Sequence, residues 1–188
     1  SHYQIRGVPG HVQRVDFEGR MVDYWSPPRP THLLIAHDGQ NAFDPRTATR
    51  RRTWRMAQNA IKVFEELGLV PPAIIGVFHS SNKSNPMGRA KDLTPQGAFL
   101  SGVKPMIESQ SALTDLKGDF YQSQIAEQIV PKILERINVS IPFANTAMIG
   151  SSMGGLATLN ALGLRKEFFS TALAFSPHWV IGGEPLVD

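Results

Sequence analysis

A serine framed by glycines two positions before and two positions after it is the segment of this chain best suited to chemistry. Gly150-Ser151-Ser152-Met153-Gly154 fits G-x-S-x-G with Ser152 at the centre; Ser151 fails, because Ile149 and Met153 stand at its flanking positions. The motif follows an apolar run, Thr146–Gly150, and opens a helical stretch, Met153–Leu164. A strand that turns abruptly into a helix is the setting in which such a serine acts as a nucleophile. At so tight a turn, side chains at 150 and 154 would collide with neighbouring backbone, and glycine relieves this. Ser152 is then expected to project at the carboxyl edge of a sheet, with the positive end of the helix turned toward any oxyanion formed there. A glycine-rich turn kept only for close packing is the alternative. His37-Asp38-Gly39-Gln40-Asn41, after an earlier apolar run, fits the same chemistry. One oxyanion donor at such a serine is the backbone N–H after it, here Met153; the other comes from the loop after the third strand, here Gln40. Asp-Gly is also ordinary turn chemistry, so this pentapeptide gains its meaning from the elbow.

Positioning these groups requires strands that end along one edge. Val12–Phe17 and Met21–Trp25, joined through Glu18-Gly19-Arg20, predict an N-terminal hairpin. His32–His37 and Ala73–Phe78 are short apolar runs that predict strands buried on both faces. Thr146–Gly150 predicts a third buried strand and Ser170–Phe175 a fourth strand. Between them, Trp54–Leu67, Asp119–Ile137 and Met153–Leu164 carry helical spacing, with Asp119 as N-cap and Pro131 as a kink in the second. Residues 79–118, rich in Ser, Asn, Pro and Gly, read as one long excursion. Phe99, Met106 and Leu113 within it are candidates to line an acyl or aryl pocket, with packing beneath the loop as the default. Strands alternating with helices predict an α/β fold with a mostly parallel sheet flanked by helices. Residues 1–188 read as a single domain, with no internal repeat.

With these residues in view, the chain resembles the putative-esterase (esterase D-like) family of α/β hydrolases. The resemblance rests on Leu34–Asp44, Arg89-Ala90-Lys91-Asp92-Leu93-Thr94-Pro95, the helix from Phe120 to Pro131, Ile149–Leu156, and Phe175-Ser176-Pro177. It implies an α/β-hydrolase fold, Ser152 as nucleophile, the Gln40 and Met153 N–H groups as oxyanion hole, and Arg89 as a support residue at the rim. The implied activity is hydrolysis of a small-molecule carboxylic ester through an acyl-enzyme. Acyl transfer to an alcohol on the same scaffold, and ligand binding without turnover, stay open as alternatives.

The pattern breaks after the elbow. A serine nucleophile needs a base and an acid that orients it, in the chain order nucleophile, acid, histidine. After Ser152 the sequence holds one histidine, His178, and the acids Glu167, Glu184 and Asp188. His178 comes two strands too early for the usual base. Either strands beyond Asp188 supply acid and base, the fold being C-terminally incomplete, or the chain binds without turnover, or a local histidine substitutes. His178 is the candidate in the last case; His37 and His79 are read as loop or packing residues.

Composition narrows the rest. The 188 residues contain no cysteine, which excludes disulfides, thiolate metal sites and a catalytic thiol. Nineteen Lys+Arg against sixteen Asp+Glu leave +3, too slight to imply nucleic acid. Arg46, Arg50, Arg51, Arg52 and Arg55 crowd one stretch; a solvated basic face is the expectation, an anion-binding role the alternative. No metal-ligand spacing and no nucleotide-binding glycine loop occur, so neither cofactor nor metal is expected. No membrane-length apolar run or leader segment is seen, which leads to the expectation of a cytoplasmic protein without membrane or nucleic-acid partners.

Overall fold

A computed structural model of the chain describes residues 1–104 and 115–186. The hairpin forms as the sequence predicts. β2 (Val12–Phe17) and β3 (Arg20–Trp25) follow a short β1 (His2–Tyr3) that the sequence did not signal. Phe17 pairs with Arg20, so Glu18 and Gly19 alone make the turn, at φ 53° and 87°. Positive φ at both central residues is the two-residue turn whose twist matches the flanking strands, and glycine takes it without penalty.

β4 (Leu33–Ala36) and β5 (Ala73–Val77) are parallel, and nearly every side chain in them is buried. That is the signature of strands covered on both faces. β6 (Thr146–Ser151) pairs with β4, and β7 (Thr171–Phe175) with β6, both parallel. The seven strands run in the order β1-β2-β3-β5-β4-β6-β7, antiparallel as far as β5 and parallel beyond it. Successive strand residues point to opposite faces. Ile35 and Ile75 therefore enter one core, with Met148, Leu156, Tyr121 and Ile125. Ala36 and Ile74 enter the other, with Trp25, Phe43 and Met56.

Helix α1 (Met56–Glu66) covers the second face. The first is covered by α4 (Gly118–Gln124), α5 (Val130–Arg136) and α6 (Met153–Leu164). Three expectations need correcting. The excursion at 79–118 is not all loop: α2 (Gly88–Leu93) and α3 (Gln96–Leu100) lie inside it, and α2 packs on α4 and α6. Asp119 is not an N-cap; Lys117 holds that place without a side-chain bond, and Asp119 sits in the first turn. Pro131 does not simply kink its helix. Ile125–Ile129 widens into a π turn, and the Val130 N–H reaches back five residues to the Ile125 carbonyl. The wider turn accommodates the ring that an α-turn would press against the preceding carbonyl.

β6 and β7 are less covered than a third and fourth interior strand would be. In β6, Ala147, Ile149 and Ser151 remain partly exposed, and in β7 Leu173 and Phe175 are 38% and 57% exposed. These residues share one face, since Ile149 pairs with Leu173 and Ser151 with Phe175. Among the described residues, no helix is long and apolar enough to cross a membrane.

Candidate active site

Ser152 stands at the break between β6 and α6 with φ 58° and ψ −121°. A non-glycine residue rarely holds such a backbone, and it persists only where its surroundings over-determine it. Here they do. The Ser152 N–H donates to the Phe175 carbonyl at 2.9 Å, and its own carbonyl accepts from the N–H groups of His178 at 3.1 Å and Leu156 at 3.1 Å. The end of β7 and the Ser176-Pro177-His178 turn thus brace the elbow from one side. A Cβ at Gly150 would collide with the Gly154 backbone, which is the close approach the motif predicts. The serine is partly accessible, whereas Met153 after it is buried.

β4 and β6 are adjacent and parallel, so the loop after β4 opens beside the elbow. The His37 N–H continues the ladder to the Ile149 carbonyl at 3.0 Å. Asp38 then takes a left-handed conformation, φ 53° and ψ 41°, and Gly39-Gln40-Asn41 makes one short helical turn. Gly39 lies so close on the Gly76 backbone of β5 that a side chain there would overlap it. A Cβ added at Gly154 would come 3.2 Å from Asp38 Oδ2 and 3.3 Å from His37 Cβ, which places this loop against the first turn of α6. The first bonds of the short turn run from Asn41 N–H to Asp38 and from Ala42 N–H to Gly39. The N–H groups of Gln40 and Met153 both belong to helix starts, where no intrahelical acceptor is available. Donors of this kind can stabilise an anionic oxygen, and the aligned peptides of α6 add to the positive field at its start.

The histidines divide by environment. His37 is completely buried; Nδ1 lies 2.8 Å from the Tyr121 hydroxyl, and Nε2 has no partner. Burial pushes it down to about 4, so it is a neutral core residue. His79 accepts the Ser81 N–H on Nδ1 at 3.1 Å, which leaves the proton of the neutral ring on Nε2. That is the wrong tautomer for a base acting through Nε2 with an acid behind Nδ1. His178 is tied to Ser152 through its backbone, but its ring has no acid partner among the described residues. No acid–base pair is assembled on Ser152 by the described residues.

The resemblance implies Arg89 as a support residue but not its partner, Asp38 in the loop after β4. Arg89, in α2, donates from Nε to Asp38 Oδ1 and from Nη2 to Asp38 Oδ2, both at 2.7 Å. The two residues are 51 positions apart, and no local pattern links them. Tyr121, on the buried face of α4, is the other unread partner. Of the remaining candidates, Phe99 packs partly buried against the first core, while Met106 and Leu113 lie outside the described residues. The five arginines from 46 to 55 are all exposed. Arg46 pairs with Asp44. Among the described residues, no cluster of histidine and acidic side chains could hold a metal ion. An apolar hollow of about 530 Å³ runs beneath α1 from Pro72 to Phe175. Its wall includes Gly150 and Ser151 but not Ser152, so it belongs to the thinly covered sheet face.

The model of the family described as Putative esterase matches residues 17–183. Solved structures resemble the chain in fold. The BES protein from Bacillus cereus has a TM-score of 0.68 at 16% identity, over 98% of this chain and 68% of its own. The siderophore hydrolase EstA from Aspergillus nidulans gives 0.67 at 17%, over 100% and 65%. The enterobactin esterase FES from Shigella flexneri, in the presence of enterobactin, gives 0.64 at 14%, over 92% and 38%. The chain thus spans less than two-fifths of the Shigella esterase and about two-thirds of the other two. No curated protein sequence matches it significantly.

Proposed function

The chain belongs to the Putative esterase family, and from that premise we propose that it is a serine carboxylic-ester hydrolase with Ser152 as nucleophile. Ser152 Oγ bonds to the ester carbonyl carbon, and its proton passes to a base. The carbonyl oxygen becomes an oxyanion held by the N–H groups of Gln40 and Met153. Collapse expels the alcohol, which takes the proton from the base, and leaves an acyl group on Ser152. Water then attacks the acyl-enzyme by the same route and releases the carboxylic acid. The observation that carries this reading is the backbone of Ser152, held at φ 58° between β6 and α6 with the loop of Asp38–Gln40 against the same helix turn.

We place the acid and base in further strands beyond residue 188. The support is the thinly covered face of β6 and β7, together with the chain's span of 38–68% of its three structural neighbours. The substrate class is a small-molecule ester.

Hydrolysis of nitrophenyl esters by the complete protein tests the reading. Ser152→Ala is expected to lower kcat by ~1000-fold or more, whereas His178→Ala changes it by less than about tenfold, because none of the described acids orients its ring. Undiminished hydrolysis in Ser152→Ala contradicts the proposal. Added alcohol reports on acyl transfer: ester products outpacing the free acid would reassign the enzyme as an acyltransferase.

A further inference from the structure

We propose that Asp38 and Arg89 are positioning residues that aim the Gln40 N–H and cancel a negative charge beside the oxyanion. The proposal rests on the reading of Ser152 as nucleophile. The direction of the Gln40 N–H is set by the backbone of the two residues before it. Asp38 is held left-handed, a conformation that costs a non-glycine residue energy. Gly39 presses on the backbone of Gly76, and the Asp38 carboxylate faces the first turn of α6 at Gly154. Those two contacts limit the loop below and to one side. The third side is closed by Arg89, whose planar guanidinium takes both carboxylate oxygens at 2.7 Å. Asp38 is 3% exposed, so its charge is little screened. Two residues from an oxyanion donor, an uncancelled carboxylate would oppose the developing negative charge. Arg89 removes that opposition.

Arg89 is itself fixed. Its N–H donates to Ser81 Oγ at 2.7 Å, and one turn on, Asp92 is held by Arg20 and by the Ser80 N–H at 2.7 Å. The long excursion therefore carries, on α2, the residue that closes the oxyanion loop.

The test is a double-mutant cycle of Arg89→Gln and Asp38→Asn, with Arg89→Lys as the conservative variant, read on an uncharged acetyl ester. Hydrogen exchange of the 37–43 backbone is followed alongside. Arg89→Gln is expected to lower kcat at least ~10-fold with KM changed less than about threefold, and Arg89→Lys to recover part of it. The double variant should be no slower than the worse single one, because coupled residues are not additive. Exchange at 37–43 should quicken in Arg89→Gln while β6 is unchanged. Unaltered kcat, a change in KM alone, or single effects that simply multiply would overturn the proposal. A wild-type protein inactive on every ester would refute the reading of Ser152 alone; unchanged exchange at 37–43 in Arg89→Gln would refute the clamp by itself. Should Arg89→Gln not fold, Asp38→Asn and Arg89→Lys supply both readouts.

Discussion

His37 illustrates how strongly single residues near Ser152 are constrained. Its ring is fully buried, one nitrogen meets the Tyr121 hydroxyl, and the other meets nothing. Burial outweighs the nearby Asp38 carboxylate and holds the imidazole well below its ordinary value, at about 4. The unfolded chain binds this proton from about pH 6.5 downward while the folded chain resists it. Stability from this residue is therefore full above pH 6.5 and is lost as pH falls toward 4, by an amount on the order of 2–3 kcal/mol. Denaturant unfolding at pH 7.5 and pH 4.5 checks it: His37→Gln should lose less stability on acidification than wild type. An equal loss in both would show that His37 does not carry the dependence. At this scale the sequence was legible where residue type and spacing were local. Gly150 follows from the sterics of its own tight turn, whereas Gly39 is required by the backbone of β5 and Gly154 by the side chains of Asp38 and His37, neighbours that only the fold supplies. The Asp38–Arg89 pair was not legible, because only the folded sheet brings it together.

Among elements, one buried side chain ties the hairpin to α2 and α4. Arg20, at the start of β3, donates to Asp92 of α2, to Gln124 at the end of α4 and to the Phe78 carbonyl, and its guanidinium lies 4.7 Å from the centre of the Tyr121 ring. Arg20 and Asp92 are both almost wholly buried. Removing one member of a buried pair leaves the other charge without compensation, which typically costs ~3–5 kcal/mol. Arg20→Leu is expected to destabilise by about that much, measured as a shift in the denaturation midpoint; a change under ~1 kcal/mol would contradict this role. Strands and long helices were legible here from apolar runs and helical spacing. α2 and α3 were not, since each is only one or two turns long and set among loop-forming residues. The π turn before Pro131 was not legible either. Proline announces a disturbance, but the way it is absorbed depends on the packing of Ile125 and Ile129 in the core.

For the molecule as a whole, seven strands bring Ser152, the loop of Asp38–Gln40 and the turn of Ser176–His178 to one edge. Parallel order from β5 to β7 was legible in the alternation of strands and helices, and it is what aligns those carboxyl ends. The acid and base were not legible, and the described residues assemble none on the serine. The central claim is that Ser152 is a nucleophile activated by its setting. A fluorophosphonate probe, which reacts covalently with activated serines, tests it most directly when the modified peptide is identified by mass spectrometry. Labelling of the complete protein at Ser152, abolished in Ser152→Ala, is the predicted result. No labelling, or labelling that persists in Ser152→Ala, would contradict the account.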